Sequence, residues 1–324
     1  MNRQLCAQAC LLLASAALTA NAIAQNYPSG PLRIVSPYPP GGGTDILART
    51  LGQKLNERYG QPAVVENRSG ANGTVGAAFV AKSAPDGHTL LIVPAGYAAN
   101  PALYKNLPYD QSRELAPVSH LASGPLTLVV HPSLPAKNVK ELIALAKAQP
   151  GALNIGSAGN GSLPHLSAEL FNTMAGIKIV HIPFKGSGAA VIDVLSGQVP
   201  LMFSSAVAMM PHVKAGKLRA IGTTAAKRSS AQPEIPTVAE ATGLKDYEAG
   251  SWYGLSAPAG TSRAIIDLLN RETVAAMKAP DIIERLSFEG VIPVGNSPEE
   301  FAAYIKAETA KWGKLIRDVG VKPE

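Results

Sequence analysis

Two glycine-rich segments carry the residues best suited to chemistry. The first, Pro39-Pro40-Gly41-Gly42-Gly43-Thr44-Asp45, follows Tyr38 and joins an apolar run to a helical pattern. Proline fixes the approach of the chain, three glycines let backbone come close to a ligand, and Thr44 or Asp45 can cap the helix. The first N–H groups of that helix have no partner along the chain and sit at the positive end of its dipole, which suits a carboxylate or a phosphate. The second segment, Gly156-Ser157-Ala158-Gly159-Asn160-Gly161-Ser162, repeats the arrangement further along. It adds side-chain donors in Ser157, Asn160 and Ser162, a backbone approach at Gly161, and His165 at the start of its helix. A third loop, Pro94 to Asn100, also follows a strand and brings Gly96, Tyr97 and Ala98 as candidates to line the same space. Each loop alone is compatible with an ordinary turn. Two of them in separate halves of the chain read as paired anion cradles facing one cleft.

Other chemistries find no template. There is no Gly-x-x-x-x-Gly-Lys-Ser/Thr, so the glycines are not a nucleotide-phosphate loop. Gly186-Ser187-Gly188 starts like a dinucleotide fingerprint, but Val191 fills the third small position. No serine stands in Gly-x-Ser-x-Gly. The six histidines, at 88, 120, 131, 165, 181 and 212, lack metal-ligand spacing, and no metal or other cofactor is expected.

Positioning these loops requires strands that end where helices begin. Leu32–Val35, Ala63–Glu66, Thr89–Val93 and Leu126–Val130 read as strands, with helices at Thr44–Tyr59, Gly76–Ser83 and Val139–Ala148. Leu153–Gly156, Ile179–Ile182, Val199–Phe203 and Leu218–Thr223 continue the series, and the last 60 or so residues are mostly helical. Strands separated by helices of this length imply βαβ units and an α/β class. The long strand-like stretches Ala116–His131 and Tyr247–Ala257 are candidate crossings between two lobes. On that reading residues 25–124 and 250–324 form lobe 1 and residues 125–249 form lobe 2. A ligand then binds in the cleft, where the C-terminal ends of strands from both lobes meet.

The 324 residues carry 29 Lys+Arg against 23 Asp+Glu, a formal +6, with 46% hydrophobic and 16% charged residues. That apolar share excludes wholesale disorder. Basic residues are dispersed among acidic ones without interleaved aromatics, so nucleic-acid binding is not expected. The start of the chain has Arg3 as its only charge, an apolar run from Cys10 to Leu18, and Ala22-Ile23-Ala24. These are the parts of a signal peptide, residues 1–24, cleaved after Ala24. Both cysteines, Cys6 and Cys10, leave with it. The expected product is an exported, periplasmic protein held by its core alone, a monomer.

Segments spread over the whole mature chain resemble the solute-binding proteins of tripartite tricarboxylate transporters, the Bug family. They include Tyr27-Pro28, the 39–45 loop, Glu66-Asn67-Arg68-Ser69-Gly70-Ala71-Asn72-Gly73, Pro85-Asp86-Gly87-His88-Thr89-Leu90 and Asn100-Pro101-Ala102-Leu103-Tyr104. Further matches are Leu107-Pro108-Tyr109-Asp110, Pro183-Phe184-Lys185-Gly186, Gly197-Gln198-Val199, Gly216-Lys217-Leu218-Arg219 and Ala257-Pro258-Ala259-Gly260-Thr261. The resemblance implies a two-lobed periplasmic binding protein of type II, or Venus-flytrap, form. Each lobe is a mostly parallel sheet flanked by helices, and two crossover strands act as hinge. Such a protein closes on a small organic acid, mono-, di- or tricarboxylate, and delivers it to an integral membrane permease; it is not an enzyme. The loops matching 38–45 and 157–162 hold a carboxylate through backbone N–H groups, and Lys185 and Gly186 complete the candidate site. Where many members carry Met-Phe-Asp, this chain has Met202-Phe203-Ser204-Ser205. Losing that carboxylate disfavours an amino group on the ligand and leaves Ser204 or Ser205 as hydroxyl donors. Presentation of the ligand to a signalling receptor, and an enzyme on the same scaffold, are the alternatives.

Overall fold

The computed structural model describes residues 27–229, 232–288 and 291–322. The expected signal peptide and its cleavage point lie outside them. Strand β1 (Leu32–Ser36) pairs in parallel with β2 (Ala63–Asn67) and β3 (Thr89–Pro94). Helix α1 (Gly43–Tyr59) connects the first two, and α2 (Thr74–Ala81) precedes the third. In the second half β5 (Asn154–Ser157) pairs in parallel with β6 (Val180–Pro183) and β7 (Leu201–Ser205). These are joined by α5 (Leu163–Ala175) and α6 (Ser187–Leu195). Each half is therefore a parallel three-strand unit of the kind its alternating strand and helix patterns imply.

Two strands tie the halves together. The 16-residue β4 (Leu115–Val130) pairs antiparallel with β9 (Gly250–Pro258) as far as Pro125, then with β7 and with β8 (Arg219–Thr223) from Leu126 onward. β9 in turn lies antiparallel against β3. The result is one ten-stranded curled sheet with β2 at one end and β6 at the other, and a fold of two lobes that share β4. The parallel pairing belongs to the lobes and the antiparallel pairing to the crossings. The remaining helices of the described residues are α3 (Asn100–Leu103), α4 (Val139–Ala148), α7 (Ala206–Lys214), α8 (Val238–Thr242), α9 (Arg263–Met277), α10 (Pro280–Phe288) and α11 (Pro298–Val319). A short edge strand, β10 (Ile292–Pro293), pairs with β4.

The sheet alternates its faces as a pleat requires. Ile34, Leu90, Ile92 and Leu255 pack against Leu47, Leu51 and Leu55 of α1, whereas Leu128, Phe203 and Ile155 pack under Leu166 and Phe171 of α5. Helix α11 is bound to β9 through one carboxylate. Glu308 Oε2 accepts from the indoles of Trp252 at 3.1 Å and Trp312 at 2.8 Å, so a buried charge satisfies two buried N–H groups.

Helix starts divide into two sets. Asn138, Thr237, Ser262 and Ser297 each accept the expected N3 amide and cap α4, α8, α9 and α11, with full capping boxes at Thr237 and Ser297. The starts of α1, α5, α6 and α7 have no side-chain cap. Helices α2 and α3 also lack one, and each continues directly from a 3-10 turn, at 71–73 and 95–99.

Candidate functional site

Four of the uncapped helices, α1, α5, α6 and α7, begin at one place. A cleft of about 360 Å³ is lined by Gly42, Ser162, Gly186 and Ser205, the residues just before α1, α5, α6 and α7. α1 belongs to one lobe and the other three to the second. Each start leaves backbone N–H groups without an intrahelical partner, and the four dipoles bring their positive ends to a common space. Ser162 is 2% exposed and its Oγ has no hydrogen-bond partner within the protein. An uncommitted hydroxyl this deep, beside an uncapped helix start, suits an anionic acceptor.

The walls come from the crossings and from α6. Leu126 of β4, Leu163, Pro164 and Ile192 give apolar surface, and Ser251 and Tyr253 of β9 add polar groups. Among the described residues lining the cleft, Lys185 alone is charged, and it is exposed. Gly43 lies directly on the Tyr253 ring, where a Cβ would come within 2.9 Å of Cζ and closer still to the hydroxyl. Gly186 has φ +99° and faces Pro39 of the other lobe, where a Cβ would be 3.2 Å from the proline ring. The two lobes therefore touch at the mouth of the cleft.

Ten of the residues expected from the sequence line this space: Tyr38, Pro40, Gly42, Gly43, Thr44, Gly96, Ser162, Lys185, Gly186 and Ser205. The others stand elsewhere, for reasons the contacts supply. Asp45 turns inward, where its carboxylate accepts from Gly41 N–H at 3.1 Å, Asn67 Nδ2 at 2.9 Å and the Arg49 guanidinium at 3.0 Å. Burial alone would raise its pKa, but the hydrogen bonds from Arg49, Asn67 and Gly41 outweigh it and hold the carboxyl below its ordinary value. Asp45 and Gly41 thus shape the first loop from behind and do not line the cleft.

Tyr97 points to the opposite side of its turn. Its hydroxyl donates to the Gln111 carbonyl at 3.2 Å, and it lines a separate groove of about 950 Å³ with Tyr109 and α11. Ala98 is fully buried in the core. Ser157 is buried, its Oγ 2.5 Å from His181 Nε2 and 3.2 Å from the Gly159 carbonyl. His165 takes the Gly161 N–H on Nδ1 at 3.0 Å and stacks on His181 with ring centroids 3.7 Å apart. Burial, and secondly His165, press the His181 pKa down to about 3, so the stack carries a neutral His181 at ordinary pH. Ser157, Gly161 and His165 are the underside of the second loop, and Asn160 is also outside the lining. Ser204 is 1% exposed, pairs with Thr127 across the sheet and shares the face of Met202, which packs under α6 and α7. Strand alternation puts Ser205, not Ser204, on the cleft.

Sequence reasoning missed Ser187 and Gly188 at the start of α6, although the run Gly186-Ser187-Gly188 between a strand and a helix carried the same signal as the other two loops. Leu126, Ile192 and Tyr253 had no local signal, because only the pairing of β4 with β9 and the packing of α6 bring them to the cleft.

No helix among the described residues is long and apolar enough to cross a membrane, and no group of three or more His, Cys, Asp or Glu among them could hold a metal ion. The family model described as tripartite tricarboxylate transporter family receptor matches residues 47–321. The structure of Rpa4515 from R. palustris with adipate superimposes with a TM-score of 0.88 at 37% identity, over 92% of this chain and 100% of that one. The periplasmic binding protein BugD gives 0.86 at 33% identity, over 91% and 99%. MatC from Rhodopseudomonas palustris with bound malate gives 0.84 at 32% identity, over 90% and 100%. A two-lobed sheet sharing its crossing strands, four uncapped helix starts on one cleft, and agreement along nearly the whole chain lead to one conclusion: this protein belongs to the tripartite tricarboxylate transporter receptor family.

Proposed function

We propose that the chain is a periplasmic receptor that captures a small dicarboxylate between its lobes and delivers it to a membrane permease. The observation that carries this reading is the convergence of four uncapped helix starts on a cleft whose only charged lining residue, among the described residues, is Lys185. One carboxylate offers about four acceptor positions. Four helix starts with two or three free N–H groups each supply more donors than one carboxylate can use, so a ligand with two acid groups matches them better. Leu126, Leu163 and Ile192 provide apolar wall for the carbon chain between the groups. Among the described residues, no carboxylate or imidazole lines the cleft, which favours capture over turnover and offers an amino group no counter-charge. The relatives with adipate and malate carry ligands of this class. Contacts from both lobes to one ligand stabilise the closed form, and the change of pairing partner within β4 at Pro125–Leu126 is the natural hinge.

A thermal-shift series with adipate, its monoamide, 6-aminohexanoate and 1,6-hexanediol tests the reading, alongside shorter diacids including malate. A ligand at 100 times its dissociation constant adds about 2.7 kcal/mol. The diacids should stabilise most, the monoacids less and the diol not at all. Stabilisation by the diol or by a diamine, with none from any diacid, contradicts it.

A further inference from the structure

We propose that Asn72 is a positioning residue that fixes the second cradle against the first and locks the lobes together. Its side chain is the junction of both. The Oδ1 accepts from the Tyr38 hydroxyl at 2.6 Å, and Tyr38 lines the cleft beside the first loop. The two Nδ2 hydrogens are shared among the Gly96 carbonyl at 3.1 Å, Asn100 Oδ1 at 2.9 Å and, across the lobes, the Gly161 carbonyl at 3.1 Å. Two of these partners are backbone carbonyls that can only accept, so the amide orientation is fixed by its surroundings.

The target peptide is held from both sides. The Gly161 N–H is taken by His165 within its own lobe, and the carbonyl by Asn72 from the other. The next residue is Ser162, the uncapped start of α5, which lines the cleft and whose buried hydroxyl has no partner within the protein. Asn72 never reaches the cleft itself; it sets the direction in which Ser162 faces it.

The backbone at Asn72 is unusual in a way that fits this task. Ala71, Asn72 and Gly73 have φ of 44°, 50° and 82°, three consecutive residues in the left-handed region. L-residues hold that conformation only where the surroundings over-determine it, and Asn tolerates it better than most. Here the turn turns the amide toward Gly161.

The bond to Gly161 belongs to the closed arrangement alone. Gly96 and Asn100 lie in the same lobe as Asn72 and stay with it when the lobes separate, whereas the Gly161 carbonyl passes to water. An interaction present in one state and absent in the other shifts the equilibrium by its whole net strength.

Spin-label distances test this without any ligand. The sequence has cysteines only at 6 and 10, so a chain beginning at Gln25 accepts labels at Val64→Cys and Val180→Cys alone. These positions are 56% and 37% exposed and stand on β2 and β6, the two ends of the sheet. Asn72→Gly keeps a residue that favours the left-handed backbone and removes the amide. It should lower the closed-to-open ratio about two- to tenfold, the range of one net hydrogen bond. Asn72→Asp, whose carboxylate cannot donate to either carbonyl, should lower it at least as far. An unchanged distance distribution in Asn72→Gly overturns the proposal, even if its melting temperature falls, because a merely local role would affect stability and leave the lobe distance alone. A parent protein with no closed population overturns it as well. Failure of the diacids to bind would leave this result standing, and failure here would leave the carboxylate reading intact.

Discussion

Replacing Gly43 with alanine is the sharpest perturbation of the first cradle. An added Cβ would come within 2.9 Å of Tyr253 Cζ and nearer still to the hydroxyl, where ordinary contact begins at 3.4 Å. Tyr253 is 8% exposed on β9, a strand paired on both sides, so its backbone cannot yield. Either the ring turns out of its place or the first turn of α1 shifts by about 1 Å. Overpacking of this kind costs about 1–3 kcal/mol, and the lower entropy of an unfolded alanine returns about 0.4–1 kcal/mol. A net loss of about 1–2 kcal/mol corresponds to a fall in melting temperature of a few degrees for a chain of this size. Gly42→Ala is the matched control, because a Cβ there meets nothing within 4 Å and its φ of −88° is ordinary for any residue. Differential scanning fluorimetry of the two variants separates them without a ligand. Gly42→Ala should lose only what alanine costs in place of glycine at an N-cap, about 1 kcal/mol or less, and a Gly43→Ala melting temperature no lower than that of the parent would refute the reasoning.

Four further outcomes are expected. Lys185→Ala should weaken diacid binding about two- to fivefold by calorimetry and flatten its salt dependence, because an exposed charge contributes only about 0.2–1 kcal/mol. A 2-amino derivative of a bound diacid should bind at least about tenfold more weakly than the parent, since no lining carboxylate receives its ammonium. Glu308→Ala should destabilise by about 2–4 kcal/mol in urea unfolding, as it strands the indoles of Trp252 and Trp312. His120 is buried and its pKa is pushed down to about 4, while the unfolded side chain titrates near about 6.5. The unfolded chain therefore takes up the proton first as pH falls; stability is fully present above about 6.5, and by pH 5 His120 should lose about 2 kcal/mol and His181, held lower still, a similar amount, read as a falling urea midpoint.

The loops that line the cleft were legible because glycine, proline and serine between a strand and a helix report local backbone geometry, which short stretches of sequence encode. The same rule covered the start of α6, which only the competing dinucleotide pattern at Gly186-Ser187-Gly188 obscured. Direction was not legible. Tyr97 and Tyr38 both follow strands of the first lobe, yet one faces the outer groove and the other the cleft, and Ser204 and Ser205 differ only by the pleat of β7. Which face meets the cleft depends on how β4 turns from β9 to β7, a long-range pairing with no local mark. Asp45 shows a further limit, since its type and place suggested a cap or a contact, and Arg49 and Asn67 together draw it inward.

On the proposed function, backbone at helix starts, and not a charged side chain, receives the ligand's acid groups. A crystal structure of the chain with the acid that raises its melting temperature most tests this directly. Carboxylate oxygens should lie within about 2.7–3.2 Å of N–H groups at the starts of α1, α5, α6 or α7, with Ser162 Oγ donating to one of them. An acid held by Lys185 alone, or seated in the groove beside Tyr97, would contradict it.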